Sequence, residues 1–149
     1  MNLEMVPLLH SHIDMIEYRE SDRSAVDHFH DLLNHQEDRY QAWALIKEDG
    51  NPVALGGFAF PWPKMSDAFM MFSHEVDHNP ELAMSIFWRI KKIVKMAFDQ
   101  YDLHRIEATT PSVRLDRARW LKNIGFTQEG YLKKYGPDGQ DYIMFGMVR

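Results

Sequence analysis

The sequence predicts a mixed α/β sheet within a single domain spanning residues 1–149. Three observations carry this expectation. Short apolar runs alternate with segments whose apolar residues recur at three- and four-residue spacing. Clusters rich in Gly, Pro and Asp separate them, as turns do. And 149 residues, 45% hydrophobic with 9 Phe, 6 Tyr and 4 Trp, supply enough apolar area for one core.

Taken in order, residues 3–9 read as a weak strand. From His12 to about His35 the pattern is helical but broken, with Ile13 and Ile16 first and then Val26, Phe29, Leu32 and Leu33. Residues 42–47 and 53–60 read as two strands joined by the turn cluster Glu48-Asp49-Gly50-Asn51-Pro52. Pro61-Trp62-Pro63 should end the second strand, because proline has no N–H to give a ladder. The Phe- and Met-rich run 68–73 is short enough for a buried strand. A long helix follows, with Asn79 suited to the N-cap, Pro80 to the first helical position and Glu81 to the positive end of the dipole. Leu82, Ile86, Ile90, Ile93, Ala97 and Tyr101 make its apolar stripe, and Arg89, Lys91, Lys92 and Lys95 lie off it. Residues 105–109 form a short strand. A helix over about 113–124 should bury Leu115, Ala118, Leu121 and Ile124 before Gly125 stops it. Strands at 128–135 and 142–148 flank the hairpin signal Gly136-Pro137-Asp138-Gly139.

Composition excludes several classes of function. With no Cys there is no disulfide framework, no thiolate nucleophile and no Cys-based zinc or iron–sulfur site. A net charge of −5, from 17 basic and 22 acidic residues, does not suit a broad surface for duplex nucleic acid. No apolar run approaches the ~20 residues of a membrane-spanning helix, and the first twelve residues lack the basic region of a secretory signal. The expectation is a soluble intracellular chain.

The most specific stretch is Trp120-Leu121-Lys122-Asn123-Ile124-Gly125-Phe126 followed by Glu129-Gly130, a Tyr- and Lys-rich strand, the Pro137-Asp138-Gly139 turn, and Asp141 opening the last strand. It resembles the ending of the GNAT superfamily of acetyl-CoA-dependent N-acetyltransferases, in particular the branch that acetylates ribosomal-protein N-termini and related amines. A fainter likeness is to small GNAT-like proteins of tailed phages, which share a Leu-Lys-x-Ile-Gly helix end. The order of elements matches over nearly the whole chain, the motifs only over the last third.

The resemblance implies a GNAT-like mixed, mostly antiparallel sheet, flanked by helices, with two splayed central parallel strands, here 68–73 and 105–109. It implies acetyl-CoA as co-substrate, its pantetheine arm bonded along the edge at Met70, Met71, Phe72 and Ser73. Splayed strands leave amides that such an arm satisfies as an added strand would. The pyrophosphate would sit at the start of the long helix, where N–H groups and the dipole favour anions. The family's loop there, Gln/Arg-x-x-Gly-x-Gly/Ala, aligns with Pro80-Glu81-Leu82-Ala83-Met84-Ser85, which brings Ala83, Met84 and Ser85 to the phosphates. The departures are clear. Neither Ala83 nor Ser85 is glycine, Pro80 lacks an N–H, Asp77 and Glu81 are negative, and no Lys or Arg lies between Lys64 and Arg89. Two like charges near 4 Å cost on the order of 4 kcal/mol at an effective dielectric of 20. Asn79-Pro80-Glu81 is equally explained as a helix cap alone.

Acetyl transfer needs a base for the amine, donors for the oxyanion and an acid for the thiolate. The resemblance implies a base at or just after the first splayed strand, where His74 and Glu75 stand. Histidine titrates nearer neutrality, and on a strand the two would point to opposite faces, so at most one is aimed at the cleft. Otherwise both are a solvated strand end. The family's Tyr acid corresponds to Leu121, so that acid is missing. Arg114 and Arg117, a turn apart on the next helix, either supply positive charge to the phosphates or form a solvated face paired with Asp116.

His74-Glu75-Val76-Asp77-His78 also matches the HExxH zinc-peptidase pattern, but that chemistry needs both histidines on one face of an α-helix, and Pro80 disfavours helix there. His10-x-His12 and His28-x-His30 have metal-pair spacing without a Cys or carboxylate at ligand spacing, so they read as surface histidines and no metal is expected. Trp62 either walls an acceptor site or caps the sheet. Two function classes remain. One is an acyl-CoA-dependent N-acyltransferase, cytoplasmic, acting by direct attack of a primary amine (of a small molecule, a protein N-terminus or a lysine) in a ternary complex. The other is a catalytically degenerate GNAT-fold binding or virion-associated protein, in host cytoplasm or virion if phage-encoded. The acceptor would be chosen by the segment between Ile13 and Tyr40 and by loops such as 61–67; a homodimer is compatible with either class, while membrane and duplex nucleic acid are not expected partners.

Overall fold

A computed structural model describes residues 2–34 and 39–149. In chain order the elements are β1 (Glu4–Pro7), α1 (His10–Met15), a 3-10 turn (Glu20–Asp22), α2 (Arg23–Asn34), β2 (Tyr40–Ile46), β3 (Pro52–Trp62), β4 (Met65–Phe72), a second 3-10 turn (His74–His78), α3 (Pro80–Gln100), β5 (Arg105–Pro111), α4 (Leu115–Ile124), β6 (Thr127–Leu132) and β7 (Tyr142–Val148). The strands form a seven-stranded mixed sheet in the order β1-β2-β3-β4-β5-β7-β6. Pairs β1–β2, β2–β3, β5–β7 and β6–β7 are antiparallel, and β4–β5 is parallel. The predicted mixed, mostly antiparallel architecture with one parallel pair is what the chain forms. The parallel ladder joins Met65, Ser66 and Asp67 to Arg105, Ile106 and Glu107, after which β4 continues to Phe72 and β5 to Pro111.

The chain forms two compact units. The first holds the described residues up to Ala59 together with Phe69–Ile86. Its core gathers Leu8, Ile13, Ile16, Phe29, Ala44, Leu55 and Met71. Burying a side chain such as Phe29 contributes about 1.5–3 kcal/mol. Two glycines on β3 make this packing: a Cβ on Gly57 would meet the Gln41 carbonyl at 2.3 Å and the Phe69 ring at 2.8 Å, and one on Gly56 would meet the Trp43 ring at 2.8 Å. Phe69 thus lies over bare backbone and meets Phe29 edge-on at 5.5 Å.

The second unit holds Phe60–Ala68 and Phe87–Arg149. Here β5 alternates half-buried and buried positions, with Ile106, Ala108 and Thr110 inward, the period of a strand lying on a core. Gly125 ends α4 at φ 130°, and Phe126 turns back to donate to the Leu121 carbonyl at 3.0 Å. A bulge between Gln128 and Gly130 on β6 projects Glu129, whose carboxylate crosses Gly146 and binds Arg105, itself also bound to Glu107. This is a structural use for the Glu-Gly of the C-terminal motif.

Several boundaries differ from expectation. β3 runs through Pro61 and Trp62, because its pairing with β2 ends at Tyr40 and Ala59, so the missing N–H of Pro61 deprives no β2 partner. Residues 61–67 are consequently strand, turn and strand rather than a loop, with Lys64 at φ 70° making the turn. The buried row of α3 passes through Val94 and Phe98 in place of Ile93, which is only half-buried. α4 starts two residues later than expected, and Leu115 is exposed while Ala118 and Ile124 are buried. The expected helix end at His35 lies outside the described residues. No helix among the described residues is long and apolar enough to cross a membrane.

Candidate functional site

The end of β4, the turn after it and the start of α3 all belong to the first unit. The Met71 side chain is buried in that unit's core and offers a ligand no contact. Ser73 is buried as well: its N–H donates to the Val53 carbonyl at 2.9 Å, and its hydroxyl accepts from the Glu75 N–H at 3.2 Å. In an antiparallel pair, successive residues present their main-chain groups to alternate sides. The bond of Ser73 to Val53 therefore turns Met71 towards β3 and Met70 to the opposite side. Phe72 is half-buried.

His74 and Glu75 open a 3-10 turn instead of prolonging a strand. The change matters, since neither strand alternation nor the i, i+4 face of an α-helix relates them or His78. The Ser73 hydroxyl starts this turn as an N-cap, a role suited to serine. His74 donates its N–H to the Glu17 carbonyl at 2.8 Å and sets its ring Nε2 3.1 Å from the Glu17 carboxylate. A carboxylate can only accept, so Nε2 carries a proton and, in the neutral ring, Nδ1 is the acceptor. Glu75 is held differently: both its oxygens take bonds from Lys47 Nζ, at 3.0 and 3.2 Å. The hydrogen bond to Glu75 raises the Lys47 ammonium above the usual lysine range. Asp77 is paired with Arg19, whose Nε donates at 2.7 Å.

The fold therefore brings three residues to this turn that the linear sequence did not indicate: Glu17 and Arg19 from the segment between α1 and α2, and Lys47 from the end of β2. Along the chain the region looks uniformly acidic; in space, Glu75 and Asp77 each hold a cation. Pairing over 28 and 58 residues leaves no local signal.

α3 begins with its own cap. The Leu82 N–H donates to the Asn79 side-chain oxygen at 3.1 Å, the Ala83 N–H to the Asn79 carbonyl at 3.0 Å, and Pro80 has none to give. The first turn so uses donors that a phosphate would need. Ala83 and Ser85 are half-buried and Met84 is exposed. Arg114 and Arg117 belong to the second unit. Arg114 precedes α4 as its N-cap and grips Asp116 with two bonds, Nε to Oδ1 at 3.1 Å and Nη2 to Oδ2 at 2.8 Å, which is the paired-surface arrangement. Arg117 lies within α4 and is half-buried. Leu121 stands half-buried where the family carries its tyrosine.

Known proteins share this fold. The family model for an acetyltransferase (GNAT) domain matches residues 8–145. No curated protein matches the sequence closely enough to count as a relative. Among solved structures, a GNAT-family acetyltransferase from Bacillus anthracis is similar at a TM-score of 0.72 and 19% identity, with 98% of this chain and 94% of that one covered. A chimeric spermidine N-acetyltransferase from Vibrio cholerae is similar at 0.74 and 14% identity over 98% and 95% of the two chains. A protein assigned as a phosphinothricin N-acetyltransferase reaches 0.75 at 14% identity over 99% and 98%. At such identities these structures share the fold, while the family model covers nearly the entire chain: the protein belongs to the GNAT acetyltransferase family.

Proposed function

We propose that this protein is an acyl-CoA-dependent N-acyltransferase that delivers an acetyl group to a primary amine. The observation that carries the reading is the β4 edge. The strand runs to Phe72, and Met70 presents its main chain away from β3. An extended arm bearing amides pairs with such an edge as an added strand. GNAT acetyltransferases use acetyl-CoA, whose pantetheine is an arm of that kind.

Of the two candidate bases, His74 is favoured. Glu17 fixes its ring with Nδ1 as the acceptor, whereas Lys47 occupies both oxygens of Glu75. His74 would take the ammonium proton; the amine nitrogen then bonds to the thioester carbonyl carbon and gives up its second proton to water as the C–S bond breaks and the thiolate leaves with its electron pair. With Leu121 in place of a phenol, the thiolate takes its proton from water. Spermidine and phosphinothricin, carried in the names of two structural neighbours, belong on the acceptor panel, as do peptides with free N-termini, to which the Gly-Phe-x-x-Glu-Gly ending points. The capped start of α3 and the missing tyrosine favour the second reading, a GNAT-fold module that binds without turnover.

The two readings separate in one pair of measurements. Calorimetry with acetyl-CoA should give a micromolar constant, and an amine panel assayed by thiol release should show turnover. The chain has no Cys, so a thiol reagent sees only released CoA. Binding without thiol release on any amine selects the module; no heat at millimolar acetyl-CoA overturns the acyl-CoA reading altogether.

A further inference from the structure

The two His-x-His pairs of the sequence each contribute one ring to a single cluster in the first unit. His10 opens α1, and His30 lies in the last turns of α2. Their Nδ1 atoms stand 2.7 Å apart, with ring centroids 4.9 Å apart and planes only 13° from parallel. The centroid separation nearly equals the Nδ1 separation plus two ring radii. The rings therefore meet edge to edge, Nδ1 pointing at Nδ1, rather than face to face. Two lone pairs do not face each other at that distance, so one nitrogen carries a proton and the other accepts it. Asp14, one turn along α1 from His10, settles which. Its carboxylate lies 3.1 Å from His30 Nε2 and can only accept. With both rings neutral, Nε2 of His30 is thus the protonated nitrogen, its Nδ1 holds a lone pair, and His10 donates from Nδ1.

We propose that His10 and His30 form a binding site for a borderline divalent transition-metal ion of the Zn2+ class, held by the two Nδ1 atoms with water completing its shell. Imidazole nitrogen suits this class of ion. Asp14 already makes the carboxylate–histidine contact that orients a ligating ring and raises its basicity. Zn–N bonds of about 2.0–2.1 Å at a tetrahedral angle set two nitrogens roughly 3.3 Å apart, so the rings must part by roughly half an ångström. His10 is exposed and able to swing by that much. Its proton moves from Nδ1 to Nε2, so both imidazoles bind as neutral ligands. Among the described residues no group of three or more His, Cys, Asp or Glu converges as a metal cage, so this two-ligand site is not a closed structural one. The bound ion would clip α1 to α2. The inference rests on these three side chains and stands whether or not the chain transfers acyl groups.

The test is calorimetric titration of the full chain with ZnCl2, paired with electron paramagnetic resonance of a Cu2+-loaded sample. Saturable 1:1 micromolar Zn2+ binding is expected, with two-nitrogen coupling in the Cu2+ spectrum. Either His10→Ala or His30→Ala should weaken binding by more than about tenfold, and Asp14→Asn by about tenfold. The nearby His28→Ala should leave it unchanged. Circular dichroism confirms that each variant is folded, and His30→Gln replaces His30→Ala if the latter is not. The proposal is overturned by the lack of saturable binding at millimolar Zn2+, by binding that survives either ring's removal, or by binding lost on His74→Ala in its place.

Discussion

Glu75 and His74 are sequence neighbours with opposite surroundings. Lys47 engages one and Glu17 the other. His74→Gln is therefore expected to lower kcat/KM for amine acetylation by about 10²–10⁴, the usual worth of a general base, with folding unchanged; Glu75→Gln should cost less. Steady-state kinetics across pH check this, and an equal or larger loss in Glu75→Gln reverses the assignment. His12 makes a separate residue-scale point. Its Nδ1 accepts from the Leu9 N–H at 3.0 Å at the start of α1, and burial lowers its pKa. Because the folded value lies below the unfolded one of about 6.5, its contribution is complete above that value and is lost as pH falls through the folded value. Urea midpoints should accordingly fall between pH 7 and pH 5, and fall less in His12→Gln. The bond from Leu9 was invisible in the sequence, where His12 looked like half of a surface pair.

At the scale of elements, local chemistry was legible and tertiary cover was not. Asn79-Pro80-Glu81 reads as a helix start and is one, and Gly125 reads as a helix stop and is one, since caps are made within a few residues. Gly125 sits at φ 130°, a backbone that side chains rarely adopt, and a Cβ there would meet the Met147 side chain at 3.1 Å. Gly125→Ala is thus expected to destabilise by about 1–3 kcal/mol, read from chemical denaturation; an unchanged midpoint would refute the strain argument. Leu115 and Pro61 show the limit. Leu115 fits the helical stripe but falls in the first turn of α4, where it is exposed. Pro61 reads as a strand end, yet whether its missing N–H matters depends on how far β2 extends beside it.

For the molecule as a whole, the sheet order determines what a ligand can meet. The side to which Met70 turns its main chain is set by how β4 pairs with β3, and no single segment encodes it. A ligand that binds the native state at a hundred times its dissociation constant adds about 2.7 kcal/mol. For a chain of this size that raises Tm by roughly 5–10 °C, so acetyl-CoA should shift melting by that much and desulfo- or phosphate-only analogues by less. The sequence by itself determined the alternation of strands and helices, their caps, and the family-like C-terminal ending, because propensity, periodicity and turn chemistry act over a few residues. Only the tertiary structure decided that Lys47, Arg19 and Glu17 answer the charges of the 74–78 turn, and that His10 meets His30. Electrostatic and hydrogen-bond partners are chosen by proximity in space, and proximity across dozens of residues exists only once the chain has folded.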